Sequence, residues 1–263
     1  MRFPSSKMSR LLASSAVAAV LALSVAGCKT TRDDVTGSIG ASAPRGALDE
    51  LGDRYRSNPD NIEAALRYAQ ALRATAQRAQ AVAVLEQATI RNPRSMALLG
   101  AYGRALSEAG DYNQALDVLS RAHTPDNPDW RILNAQGAVL DQLGRHGEAQ
   151  RYYASALKNA PNEPSILSNL GLSYLLTKDL KRAESTLRRA ASKPDASPKV
   201  RQNLALVIGL QGRFAEAEQI ARADLPEAEA AENVRFLRDM LSQQAESKRP
   251  GRKSYMPTPD ADG

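Results

Sequence analysis

The chain has 263 residues, a formal net charge of +6, one cysteine and two histidines. A single cysteine excludes an intramolecular disulfide. The sequence has no HExxH motif, no glycine-rich phosphate loop followed by lysine and serine or threonine, and no GxSxG motif. Its many carboxylates fall on predicted helix surfaces, where such residues ordinarily lie. These features argue against an enzyme, and we expect no cofactor and no metal site.

The N-terminus has the pattern of a secretory signal peptide, predicted at residues 1–27. Three basic side chains precede an apolar run at residues 11–22, which is shorter than the roughly 20 apolar residues that span a membrane. The run leads into Val-Ala-Gly-Cys28, which resembles the lipobox of bacterial lipoproteins. This resemblance implies cleavage before Cys28 and lipidation of its thiol. The alternative is an ordinary secretory signal with a chance or buried cysteine.

A lipidated Cys28 would anchor the mature chain firmly, since two or three acyl chains bind a bilayer far better than one. In lipoproteins of the enterobacterial type, Asp after the cysteine retains the protein in the inner membrane, and this chain has Lys29 there. The resemblance therefore implies the periplasmic face of the outer membrane. Loss of the three basic residues of the signal would leave a net charge of +3. A nucleic-acid partner is not expected.

The segments next to the signal and at the C-terminus have polar compositions. Residues 28–45 contain two glycines and a proline, and we expect a lipidated, flexible tether with an average reach of roughly 20–25 Å. Residues 247–263 contain three prolines and charges of both signs, which predicts a disordered tail.

A repeat of 34 residues occupies the centre of the chain. One position is alanine in five successive units, the residue twelve before it is small, and the residue nine before it is larger. The alanines are Ala81, Ala115, Ala149, Ala183 and Ala217. This pattern resembles the tetratricopeptide repeat (TPR) family, in which small residues let the two helices of a hairpin approach closely.

The TPR resemblance implies an all-α fold, a right-handed superhelical solenoid of about five helical hairpins. We expect the turn inside a hairpin to have positive φ at Gly110, Gly144 and Gly212, which share one repeat position. Proline-containing segments between the units should end one helix and cap the next. The predicted units are residues 62–95, 96–129, 130–163, 164–197 and 198–231.

Both flanks of the array continue the helical pattern. Residues 46–61 keep the register and predict an N-terminal half-repeat helix. Residues 232–246 carry an apolar stripe and predict a C-terminal capping helix, which a solenoid needs at its open end. The alternative is that this helix swings out and binds a partner. The stripe consists of Val234, Phe236, Leu237, Met240 and Leu241.

The two histidines fall at helix ends in this register. His123 is expected at the end of the second unit's second helix, and His146 in the turn of the third unit. We expect both to be solvated or capping residues.

In the TPR family a concave groove is formed mainly by the first helix of each unit, at positions 2, 5, 9, 12 and 13. Carried over by register, these positions are polar in the first three units, and we call them the polar half. They are rich in leucine in the last two units, the leucine half. The candidate partner-groove residues are Arg73, Arg104, Arg131 and Asn134 in the polar half and Leu172, Leu175, Leu176, Leu206 and Leu210 in the leucine half.

The two halves suggest different contacts. Arginines are suited to hold a peptide carboxylate or backbone. The leucines form either an apolar slot for an amphipathic segment of a protein partner or a surface that the C-terminal helices cover.

A lipobox, a tether and about five TPR units together resemble the TPR lipoproteins of the Tad or Flp pilus assembly system. The resemblance implies a pilotin-like role, in which the lipoprotein helps a secretin ring to assemble in the outer membrane. Its protein partners would be the secretin or other pilus assembly components. Two alternatives keep the scaffold: an adaptor for peptidoglycan enzymes and a factor for outer-membrane β-barrel assembly. A lipid-anchored enzyme is a third, which no polar constellation favours.

Overall fold

The computed structural model describes residues 45–124 and 126–247. The predicted signal peptide, the lipidation site Cys28 and nearly all of the predicted tether and tail lie outside these residues. The described part forms twelve α-helices and no β-strand. The helices are α1 (Arg45–Ser57), α2 (Ile62–Ala74), α3 (Arg78–Arg91), α4 (Met96–Ala109), α5 (Tyr112–Ser120), α6 (Trp130–Gln142), α7 (His146–Asn159), α8 (Pro164–Leu176), α9 (Leu180–Ala191), α10 (Pro198–Leu210), α11 (Phe214–Ala221) and α12 (Glu227–Ser247).

The helices pack as five consecutive hairpins, α2–α3, α4–α5, α6–α7, α8–α9 and α10–α11, and each hairpin packs on the next. The first helices of neighbouring hairpins also touch, whereas the second helices make no comparable contact with each other in the described part. The first helices therefore lie closer together and line the inner side of a curved array. The predicted all-α solenoid of helical hairpins is confirmed. No helix in the described ranges is both long and apolar enough to cross a bilayer.

Small residues bring the two helices of each hairpin together. In the third hairpin, a Cβ added to Gly137 would lie 2.6 Å from the ring of Tyr153. A Cβ added to Gly103 would likewise meet Leu119, and one added to Gly171 would meet Leu187. The repeated alanine of the second helix is at most 1% exposed in all five units. These close contacts explain the alternation of small and large residues in the repeat.

The turn inside every hairpin has positive φ at the same repeat position. Gly110, Gly144 and Gly212 have φ of 97°, 74° and 83°, as their type predicts. In the other two hairpins the position is Ala76 with φ 59° and Lys178 with φ 64°. A residue with a Cβ is strained in this left-handed conformation, because the Cβ crowds the following carbonyl oxygen. The tertiary packing imposes the turn even where the residue type opposes it.

The C-terminal helix closes the array. α12 begins at Glu227, earlier than predicted, and packs against α10 and α11 as a sixth first helix would. It buries Ala230, Val234 and Leu237. Phe236 was predicted to share this stripe, and that prediction is wrong: Phe236 is 54% exposed. It lies about 100° around the helix from Leu237, outside the face that packs on the array.

The outer face of α12 is polar. In each hairpin, the first helix has a small residue at the point where the second helix packs against it. The equivalent residue of α12 is Asp239, and Arg235 and Ser242 lie on the same face of the helix. All three side chains are exposed. At the other end, Ala47 and Leu51 of α1 occupy positions that are buried in every hairpin, yet they are only half-buried. No described helix packs on that side of α1.

An ion-pair network ties α9 to α11 across neighbouring hairpins. Glu184 accepts hydrogen bonds from Arg213 at 2.8 Å, from Arg188 at 2.9 Å and from Gln211 at 2.9 Å. Glu216 binds the same two arginines. Burial raises the pKa of Glu184, but these hydrogen bonds outweigh burial and lower the pKa to about 2.

We predict that Lys178→Gly raises the free energy of unfolding by about 0.5–1 kcal/mol. Removing the Cβ relieves about 1–2 kcal/mol of left-handed strain, and the extra freedom of glycine in the unfolded chain offsets about 0.4–1 kcal/mol of it. Urea unfolding followed by circular dichroism measures the change. Gly144→Ala, at the same repeat position, should lower stability by a similar amount. A Lys178→Gly protein no more stable than the wild type would contradict the strain.

We predict that Glu184→Gln lowers stability by about 1–2 kcal/mol at pH 7, because the arginines lose a carboxylate partner. The folded-state pKa of Glu184 is depressed, so its contribution is present above the ordinary value of 4.5 and is lost as the pH falls toward 2. The stability difference between wild type and variant should therefore shrink across that window in urea titrations. Glu232→Gln, an exposed control on α12, should change little. A difference that is constant from pH 7 to pH 2 would exclude the network as its source.

Candidate partner-binding groove

A cavity opens on the inner side of the array, between α4, α6 and α8. Its volume is about 400 Å³. It lies in the polar half and contains three of the candidate groove residues, Arg104, Arg131 and Asn134. The residues that line it are Arg104, Ser107, Glu108, Trp130, Arg131, Asn134, Ala135, Ala138 and Asn169. Three of the four candidate residues of the polar half therefore border one cavity, and Arg73 does not line it.

Arg104 is the half-buried cation of this cavity. Its guanidinium has no carboxylate within 4.0 Å in the described part of the chain. Burial lowers the pKa of Arg104, and the positive charges of Arg73 and Arg131 lower it further, against the opposing effect of Asp129 and Glu108. An arginine remains charged under these conditions, so the site holds a partly desolvated positive charge.

Arg73 is engaged by a neighbouring unit. Its guanidinium makes a two-pronged ion pair with Glu108, which links α2 to α4. The hydrogen bond to Glu108 raises the pKa of Arg73 despite its burial. Because its charge is already neutralised, Arg73 contributes to the shape of the groove rather than to a free anion site.

Arg131 lies over the ring of Trp130, with its guanidinium carbon 4.4 Å from the ring centroid. Its side chain is 64% exposed, and the carboxylate of Asp129 is 3.9 Å away. Sequence reasoning missed Trp130, although it is the single tryptophan of the chain and the first residue of α6. Its position at the start of a first helix was the signal that could have found it.

Side-chain amides connect the first helices along the groove. The Nδ2 of Asn169 donates to the Oδ1 of Asn134 at 3.0 Å, and the Nδ2 of Asn203 donates to the Oγ of Ser168 at 3.0 Å. Asn169 and Asn203 share one repeat position, which was not among the predicted groove positions. These bonds fix the spacing of α6, α8 and α10 at the floor of the groove.

The leucine half is partly covered. Leu172, Leu206 and Leu210 are half-buried and pack against the core of α8 to α12. Leu176 is also half-buried, whereas Leu175 is 4% exposed and belongs to the core. Much of this surface is thus buried by packing within the array, and the half-buried leucines leave an apolar face that is partly exposed.

Asp141 lies at a groove position by register, but its carboxylate turns inward and its side chain is 8% exposed. It accepts hydrogen bonds from Tyr153 at 3.0 Å and Ser173 at 2.9 Å, and contacts the Nδ1 of His146 at 2.8 Å. His146 was expected to be solvated or capping; its side chain is 27% exposed, and its ring contacts this carboxylate. His146 is the first residue of α7 and lies beside the end of α6, where the largely buried carboxylate of Asp141 needs hydrogen-bond partners.

The expectation for His123 is wrong. Its Nε2 lies 3.1 Å from the Oε1 of Gln136, which is 1% exposed. α5 ends early, at Ser120, and the following chain folds back onto α6, which brings the ring against this buried amide. In residues 45–124 and 126–247, no three His, Cys, Asp or Glu side chains gather as a metal site would require.

The tetratricopeptide repeat family model matches residues 66–129 and 134–199. Together with the hairpin array, this match makes the chain a tetratricopeptide repeat protein. No curated protein sequence matches it significantly.

Solved structures share the fold at low sequence identity. PilW, described as a widely conserved type IV pilus biogenesis factor, has a TM-score of 0.64 and 20% identity over 72% of this chain and 90% of PilW. A tetratricopeptide repeat protein from Parabacteroides merdae has a TM-score of 0.64 and 13% identity over 74% of this chain and 77% of its own. A chain of the APC/C heterotetramer Cut9–Hcn1 has a TM-score of 0.63 and 15% identity over 78% of this chain. The match spans only 40% of that chain.

We predict that Tyr153→Phe lowers the free energy of unfolding by about 1.5–3 kcal/mol, because a buried carboxylate loses one of its donors. Burial, and then the nearby charge of Asp141, raise the pKa of the Tyr153 hydroxyl, so it stays a donor at all ordinary pH values. Thermal or urea unfolding measures the loss. Tyr152→Phe, on the same helix, is the control and should change stability by less than about 0.5 kcal/mol. Equal effects of the two substitutions would contradict the role of the hydroxyl.

Proposed function

We propose that this chain is a lipid-anchored scaffold that binds a protein segment in its groove during assembly of the Tad or Flp pilus machinery. The observation that carries the proposal is the groove itself. It combines a cavity of about 400 Å³ that contains Arg104 and Arg131 with the half-buried leucines of the leucine half on one array of hairpins. In this proposal the scaffold works at the periplasmic face of the outer membrane, as in TadD-type lipoproteins.

The contents of the groove suit binding. Its charged groups lie along neighbouring helices, where a segment of a partner can contact several of them at once. The leucine half adds half-buried apolar surface from α8 and α10, which an amphipathic partner segment could cover.

The pilus assignment rests on two supports. The sequence combines a lipobox at Cys28 with a short tether before the repeats. This arrangement resembles the lipoproteins of the Tad system. The structural neighbour PilW is described as a pilus biogenesis factor, and 90% of its chain aligns with this one. At 20% identity the two share the fold. The client we propose is the outer-membrane secretin.

The anchor is tested by Cys28→Ser. We expect this variant to fold normally, as judged by circular dichroism, but to leave the membrane fraction after cell breakage, because it lacks every acyl chain. Ser24→Ala, a conservative change within the signal, is the control and should stay with the membrane. A Cys28→Ser protein that sediments with the membrane would contradict lipidation.

The groove is tested by Leu172→Asp combined with Leu206→Asp. Two new charges on the leucine face should reduce co-purification of the secretin with a C-terminally tagged scaffold by at least about tenfold. Lys181→Asp with Arg151→Asp, on the second helices, is the matched control. If the double leucine variant remains helical by circular dichroism and retains the secretin, the groove is not the binding surface. If the wild type itself retains no secretin or other pilus component, the proposed client is wrong.

A further inference from the structure

The cavity of the polar half holds one positive charge in excess. Arg104, Arg131 and Glu108 line it, and the charges of Arg73 and Asp129 are close enough to act on Arg104 as well. Glu108 is taken up by Arg73, and Asp129 lies within 3.9 Å of Arg131. Arg104 is left without a carboxylate partner among the described residues, and burial is the main cause of its lowered pKa.

A half-buried guanidinium without a partner is costly, because it has lost part of its hydration without gaining an ion pair. A ligand that brings one carboxylate into the cavity would offset this lost hydration. Its hydrogen bonds to Arg104 would be stronger than in water, because the guanidinium is partly shielded from solvent. A phosphate group carries nearly two negative charges, which exceeds the single positive charge in excess here. The charge balance therefore matches a single carboxylate.

The neighbouring amides match a peptide backbone. The hydrogen bond between Asn134 and Asn169 uses one donor and one acceptor of the pair. It leaves the Nδ2 of Asn134 to donate and the Oδ1 of Asn169 to accept, and both residues line the cavity. A backbone C=O and N–H of an extended segment are complementary to this arrangement.

We propose that this cavity selects an acidic partner segment, with an Asp or Glu side chain bound by Arg104 and the adjoining backbone bound by Asn134 and Asn169. The inference rests on the proposed function, because it names the chemistry of the segment that the groove binds. In this proposal the acid is an internal side chain of an extended peptide. Trp130 and Arg131 line the same cavity as Arg104.

The single tryptophan makes the site observable, because Trp130 lines the cavity and its fluorescence reports on binding there. The probes are two pools of nonapeptides with blocked termini. One pool has Asp or Glu at the central position, the other has Asn or Gln, and the remaining positions are randomised. Both are titrated into the full-length lipoprotein in detergent. We expect the acidic pool to bind about tenfold more tightly, as a charge-assisted hydrogen bond implies.

Arg104→Gln should abolish the preference for the acidic pool, whereas Arg151→Gln, an exposed arginine on α7, should preserve it. Equal binding of both pools by the wild type, or an Arg104→Gln protein that keeps the preference, would overturn the inference. Displacement of the acidic pool by an equal concentration of inorganic phosphate would also overturn it. These outcomes are separable from failure of the proposed function. A secretin that still co-purifies with Arg104→Gln but not with the leucine variants leaves the scaffold standing and removes only the acidic specificity.

Discussion

The whole structure depends on the close approach of the two helices inside each hairpin. Glycine or alanine on the first helix and alanine on the second leave no room for a larger side chain at the crossing, as the 2.6 Å gap between a Cβ on Gly137 and Tyr153 shows. Once the crossing is fixed, each hairpin repeats the same shape, and the first helices must come together on one side. The groove is therefore a consequence of hairpin packing and does not depend on which side chains line it.

The polar groups of the groove are divided between holding neighbouring units together and meeting a partner. Residues about one repeat apart join across units, as in Arg73 with Glu108 and Asn134 with Asn169. Asp141 instead turns inward, where its carboxylate accepts a hydrogen bond from the hydroxyl of Tyr153. Among the described residues, Arg104 is left without a carboxylate after these contacts, and it lines the cavity.

The repeat, the hairpins and the turn glycines could be predicted from sequence because each depends on local spacing and residue size. Prediction failed where the outcome depends on contacts or packing that local spacing does not show. Nothing in the spacing indicates that Arg73 meets Glu108, that His146 meets a buried carboxylate, or that Lys178 takes a left-handed conformation. Register also could not distinguish Leu175, which is core, from Leu172, which is half-exposed, since a small rotation of α8 decides between them. The groove residues are thus predictable as positions, but their partners require three dimensions.

The polar outer face of α12 bears on how copies of the chain relate to one another. The two ends of a solenoid are unlike surfaces, and if head fits tail the contact does not close, so a filament grows without limit. The half-buried apolar face of α1 could pack against a further helix. At the opposite end of the array, the outer face of α12 carries the charged residues Arg235 and Asp239. A head-to-tail contact between copies would have to bury the charges of Arg235 and Asp239, and this cost works against the growth of such a filament.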